Sequence, residues 1–147
     1  MNRIQARAAA MKLIYEWEMG GDGGEDTLRG ILEIEPGEAE YDYTQQMVEG
    51  VKQNAPQLDA QIERYAAGWK LDRLTRVDLA ILRLGAYELS LGRVPAGIVI
   101  NEAVELAKEY GDEQDASFVN GVLGSLVRAE AAPEPAAPSG LGQAEPK

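Results

Sequence analysis

The sequence predicts an all-α fold of about seven helices, and three observations carry that expectation. Apolar residues recur at three- and four-residue spacing along most of the chain. Short β-branched runs such as Ile98-Val99-Ile100 sit inside longer helical patterns, and no hairpin dipeptide separates alternating segments. Gly and Pro fall between the periodic stretches, where helices start and stop.

The first helix is expected over residues 3–19, with Ala6, Ala10, Leu13, Ile14 and Trp17 at helical spacing and Gly20-Gly21 as its stop. A short helix over residues 26–34 follows, with Leu28, Ile31 and Leu32 as its stripe, and Pro36-Gly37 breaks the chain again. A third helix is expected over residues 38–54, turning Tyr43, Met47, Val48 and Val51 inward. Pro56 suits the first turn of a fourth, running to about residue 67 with Leu58, Ile62 and Tyr65. Leu74, Val77, Ile81, Leu84 and Leu91 share one face of a fifth over residues 73–91. Pro95 and Gly111 bracket the sixth, whose stripe is Val99, Ala103, Leu106 and Tyr110. Asp115 fits the N-cap of the last, with Phe118, Val119, Val122, Leu123 and Leu126 apolar. Residues 1–130 form one domain on this reading. Residues 131–147 hold four of the seven prolines and one large aliphatic residue, Leu141, and read as a flexible tail.

Composition narrows function. A chain of 147 residues with 45% hydrophobic residues can bury a core. It has no apolar run near the ~20 residues of a membrane span and no signal-peptide pattern. There is no Cys and no His. That removes disulfides, zinc-thiolate sites, thiol nucleophiles and Ser-His-Asp chemistry. No Gly-rich phosphate loop is present. The expectation is a cytoplasmic non-enzyme with no cofactor and no metal.

The net charge of −11 opposes nucleic-acid binding, but its distribution does not. Residues 1–15 carry Arg3, Arg7 and Lys12 and no acid, whereas residues 16–49 carry eleven acids and one base, Arg29. Screening acts over about 8 Å at physiological salt, so a basic end can still meet phosphate. Arg3 and Arg7, four apart, project from one side of the first helix. They serve either as a solvated end or as a phosphate contact. Trp69 reads as an indole packed on the core, and Asn101-Glu102 as a buried hydrogen-bonded pair. Arg83 reads as a paired half-buried charge or a ligand contact. Phe118, beside Asn120, reads as a core aromatic or a base-stacking platform. Gly85, Gly121 and Gly124 lie within helices, and close helix approach would explain them.

Five stretches in order resemble the NusB transcription antitermination factors: Arg3-x-x-x-Arg7 through Lys12-Leu13-Ile14-Tyr15; Trp69-x-Leu71-Asp72-Arg73-Leu74; residues 81–89; residues 100–108; and Phe118-Val119-Asn120-Gly121-Val122-Leu123. The resemblance covers residues 2–127 and is strongest after residue 68. It implies two packed helical bundles and binding of boxA RNA together with NusE, a small-subunit ribosomal protein. It also implies an indirect link to the RNA polymerase elongation complex, which supports elongation through ribosomal RNA operons. It places Arg3, Arg7, Arg83 and Phe118 at RNA-contact positions, with Lys12 and Asn120 beside them, and Tyr15 and Asp78 at positions facing NusE. Ile4 and Gln5 interrupt what is a denser arginine run in the family, which implies RNA binding shared with NusE. Two other readings compete. One is the related RNA-binding domain that precedes ribosomal RNA cytosine methyltransferases, for which this chain leaves no catalytic domain. The other is a helical protein-binding or self-associating module, such as a homodimer.

Overall fold

The computed structural model describes residues 2–21, 39–66 and 68–131. These form five α-helices and a 3-10 turn: α1 Arg3–Glu18, α2 Ala39–Tyr65, the turn Leu71–Arg73, α3 Arg76–Leu91, α4 Ala96–Tyr110 and α5 Glu113–Ala131. No strand occurs among the described residues. No described helix is long and apolar enough to cross a membrane.

α3 is the axis of the fold. It touches every other α-helix. Leu79, Ala80, Ile81, Leu82, Leu84 and Ala86 are all buried on it, as expected of a helix surrounded on every side. α1 and α2 pack on α3 as one bundle, while α4 and α5 pair and close its other side. Close approach of α3 to its neighbours depends on two glycines. A Cβ on Gly85 would stand 2.8 Å from Leu123 Cδ1 of α5, and one on Gly50 of α2 would enter the ring of Tyr87. The close-approach expectation therefore holds for Gly85. It fails for Gly121, which has open space beside it, and for Gly124, whose nearest neighbour is Arg128 of its own helix.

Seven expected helices become five described ones for two reasons. The segment over residues 26–34 lies outside the described residues, as do residues 132–147 of the expected tail. The third and fourth helices are one continuous helix, α2, with Pro56 inside it. Proline removes the N–H that would bond the carbonyl of residue 52. Pro56 is exposed, so water can satisfy that carbonyl. The buried stripe also stays in phase: Met47, Val48 and Val51 before the proline continue as Leu58 and Ile62 after it, and the seven residues from Val51 to Leu58 are two turns.

The ends are capped locally. Asn2 and Gln5 form a reciprocal capping box on α1: Gln5 N–H donates to Asn2 Oδ1 (2.8 Å) and Asn2 N–H to Gln5 Oε1 (3.0 Å). Gln5 thus has a local structural role within the interrupted basic run. Gly20, at φ +102°, follows the α1 C-cap. The N-cap of α5 is Asp112 rather than Asp115. Asp115 N–H donates to Asp112 Oδ1 (3.0 Å) and Asp112 N–H to Asp115 Oδ2 (2.9 Å), which makes Asp115 the third residue of the box. Asn101 is exposed and Glu102 half-buried, so the expected buried pair does not form.

Candidate nucleic-acid interface

The sequence-predicted residues fall in three places and one interior network. The first place is the start of α1. Arg3 is exposed, and its guanidinium lies 4.0 Å from the centre of the Tyr43 ring. Arg7, one turn on, is buried. Its Nε and Nη2 donate to the two Glu88 carboxylate oxygens at 3.0 and 2.8 Å, and Tyr43 OH donates to Glu88 at 3.1 Å. Burial pulls the Arg7 guanidinium down, but the Glu88 hydrogen bond and the neighbouring charges lift it above its ordinary value. Burial, with the Glu88 charge, pushes the Tyr43 phenol up. A cavity of about 300 Å³ opens here, and its lining includes Arg3, Asp42, Tyr43 and the exposed Arg93. Among the described residues, Arg3 and Arg93 are exposed cations lining this cavity.

The second place is the groove between α1 and α4. Lys12 is exposed and lies 5.3 Å from the centre of the Tyr110 ring. Glu102, Glu105 and Glu109 line the same groove, which weakens its pull on phosphate. Tyr15, further along α1, is half-buried and packs against the core.

The interior network surrounds Arg83. Its Nε and Nη2 donate to Asp59 of α2 at 2.9 and 3.0 Å, and its Nη1 donates to Glu18 of α1 at 2.7 Å. Arg76 Nη1 also donates to Glu18, at 2.8 Å. The guanidinium lies 5.5 Å from the Trp17 ring. Burial pulls Arg83 down, and the Asp59 and Glu18 hydrogen bonds more than offset it. Glu18 is lowered in turn: burial raises it, but the Arg83 and Arg76 bonds win. Arg83 is thus a paired buried charge joining three helices.

The third place lies at the other end of α3. The expectation that Trp69 packs into the core fails: it is 51% exposed. Trp69 N–H donates to Ala66 O (3.1 Å), and Gly68 before it sits at φ +91°, a conformation few other residues adopt. The indole stands edge-on to the half-buried Phe118, with ring centres 6.4 Å apart and planes at 70°. Between them opens a cavity of about 250 Å³, whose lining includes Arg73, Thr75, Asp78 and Asp115. Asn120 is exposed on α5. Asp78 is only 6% exposed. Burial, then the hydrogen bond and charge of Asp115, push its carboxyl up to about 7. Asp115 is lowered by its bond to Asp78. Asp78 is thus the weaker acid of the hydrogen-bonded pair.

Asp78 and Glu88 mark the two ends of α3, about 15 Å apart at 1.5 Å per residue. Phe118 and Asn120 therefore sit at one end, and Arg3 and Arg7 at the other. Sequence reasoning missed Lys70 and Arg73, two exposed cations beside Trp69. A basic pair following closely on an aromatic residue that itself follows a glycine was the available signal.

Comparison with known proteins agrees with this architecture. The family model described as "NusB family" matches residues 4–128. The transcription antitermination protein NusB of Acetivibrio thermocellus is 44% identical over 130 residues, covering 87% of this chain and 90% of that protein. The NusB of a Thermoanaerobacter species is 40% identical over 131 residues, covering 88% and 93%. Among solved structures, one of antitermination factors NusB and NusE in complex with dsRNA superposes with a TM-score of 0.79 at 32% identity, covering 86% of this chain and 96% of that one. A NusB from T. maritima gives 0.74 at 32% identity, covering 87% and 92%. With the five described helices, their order and this match over most of its length, the chain belongs to the NusB family.

Proposed function

We propose that this chain is a transcription antitermination factor that binds boxA-type RNA jointly with NusE and acts, through that complex, on elongating RNA polymerase in the cytoplasm. The observation that carries this reading is the similarity to a NusB solved with NusE on RNA, which extends over 86% of the chain. The surface is consistent with it. Arg3 at one end and Lys70 with Arg73 at the other are exposed cations that can meet phosphates. Phe118 and Asn120 offer an aromatic and an amide for bases. In this reading Arg7 and Arg83 act from inside, holding α1, α2 and α3 in register so that Arg3 and the α1 face are correctly placed. Lys12 adds a weaker contact because acids surround it, and Tyr15 takes the NusE side.

A reconstituted transcription reaction tests the reading. The template carries a boxA-like leader ahead of a terminator, and the chain is added with and without NusE. Readthrough should rise when both proteins are present and should not rise on a template with a scrambled leader. Equal readthrough on the two templates would overturn the proposal and favour a protein-binding or self-associating module.

A further inference from the structure

The cavity of about 300 Å³ at the start of α1 brings together two arginines from distant parts of the chain. Arg3 comes from the first turn of α1, and Arg93 from the short link between α3 and α4. Both are exposed, and neither has an ion pair among the described residues. Arg3 is held in place by a ring. Its guanidinium lies 4.0 Å from the centre of the Tyr43 ring, and the Tyr43 hydroxyl is fixed by its 3.1 Å bond to Glu88. A guanidinium stacked on an aromatic face keeps its N–H fork free for an anion. The Glu88 carboxylate is answered by Arg7 at 3.0 and 2.8 Å, so it does not compete for Arg3. Arg93 is placed by a turn. Gly92, in the left-handed region at φ +66°, ends α3, and its N–H donates to Leu89 O at 3.2 Å. Among the described lining residues, the one unanswered acid, Asp42, is outnumbered by the two guanidiniums.

We propose that Arg93 is a further RNA-binding residue, gripping together with Arg3 a single backbone phosphate, so that the strand crosses the α3–α4 link as well as the start of α1. The assignment rests on the RNA-binding reading above and deepens it by adding Arg93 and a path for the strand. A phosphodiester has two non-bridging oxygens, and each can accept from one guanidinium fork. Electrostatics favours this side of α1. The groove on its α4 side is lined by Glu102, Glu105 and Glu109, which repel phosphate, whereas the Arg3–Arg93 cavity carries a positive excess among its described lining residues. The stacking of Arg3 on Tyr43 also reduces the side-chain freedom lost on binding. A contact of this kind reads no base. It fixes where the strand lies and adds affinity that salt screens.

The test uses the full chain with NusE and a labelled boxA-like RNA, measured by fluorescence anisotropy. Arg93→Ala should weaken binding about fourfold at 0.15 M salt, the effect of one phosphate contact on a single strand. It should weaken a scrambled RNA by the same factor and leave the preference between the two unchanged. Each phosphate of the boxA-like RNA is then replaced in turn by an uncharged methylphosphonate. At one linkage the wild-type chain should lose about fourfold or more. That loss should shrink in Arg93→Ala and, at the same linkage, in Arg3→Ala, and the double variant should be indifferent to it. The double variant should also lose less salt slope than the two single variants together, because one phosphate is at stake. If Arg93→Ala binds as tightly as wild type, or if the two arginines map to different linkages, the shared grip is overturned and RNA binding stands. If inorganic phosphate, exchanged for chloride at equal ionic strength, displaces RNA from the wild type and no linkage matters, the arginines hold a free anion and the proposal also fails. If the parent RNA does not bind the wild-type chain with or without NusE, both readings fall together.

Discussion

Arg7 and Glu88, 81 residues apart in sequence, are joined by two hydrogen bonds of 3.0 and 2.8 Å in the interior between α1 and α3. Both side chains are buried, and Glu88 also receives the Tyr43 hydroxyl. A guanidinium whose carboxylate-facing donors are committed inside differs in role from Arg3, one turn earlier on the same helix. Arg7→Ala would leave Glu88 uncompensated. It should cost about 3–5 kcal/mol of stability in urea unfolding, whereas the double variant Arg7→Met with Glu88→Leu should recover much of that loss.

Arg3→Ala should behave in the opposite way. Its exposed contact with Tyr43 contributes about 0.5–1 kcal/mol at most, so folding should change little. RNA affinity should fall across all sequences, and the slope of log K against log salt should shrink by about 0.7, one phosphate contact's worth for single-stranded RNA. An unchanged slope would remove Arg3 from the interface.

Two glycines on facing helices should respond differently to the same change. Gly85→Ala places a methyl 2.8 Å from Leu123 Cδ1 and should destabilise the protein by about 1–3 kcal/mol, because the core must shift. Gly121→Ala meets nothing within 4 Å inside a helix, so it should stabilise by up to about 1 kcal/mol. Thermal unfolding of the two variants checks both.

Asp78 gives the fold a pH slope. Its folded pKa of about 7 lies above the ordinary aspartate value of 3.8. The folded state therefore binds more protons than the unfolded chain between those limits. Its contribution is fully present below about pH 4 and is lost as pH rises toward 7 and beyond. Asp115, lowered by the same bond, adds an opposite contribution confined to more acidic pH. Urea unfolding at pH 5 and pH 8 should show a less stable wild type at pH 8, and Asp78→Asn should flatten that difference.

Much of the fold was legible because its signals are local. α3, α4 and α5 follow stripes that recur every three or four residues, and Gly20, Gly92 and Gly111 end helices as glycine does. Pro56 misled because a proline reads the same at a helix start and inside an exposed helix face; only the unbroken phase from Val51 to Leu58 distinguishes them. The site was less legible. Arg3 and Arg7 look equivalent in sequence, and the partner that separates them lies on α3. Arg83 left two readings open, and its partners Asp59 and Glu18 come from two other helices. Trp69 is large and apolar, which argues for burial, yet the turn after Gly68 leaves it half outside against Phe118.

The measurement that bears most directly on function is the equilibrium affinity for a boxA-like RNA and for a scrambled RNA of the same length and composition, with NusE present at a fixed salt concentration. The account predicts at least roughly tenfold preference for the boxA-like RNA, equivalent to about 1.4 kcal/mol. Equal affinity for the two RNAs would contradict it.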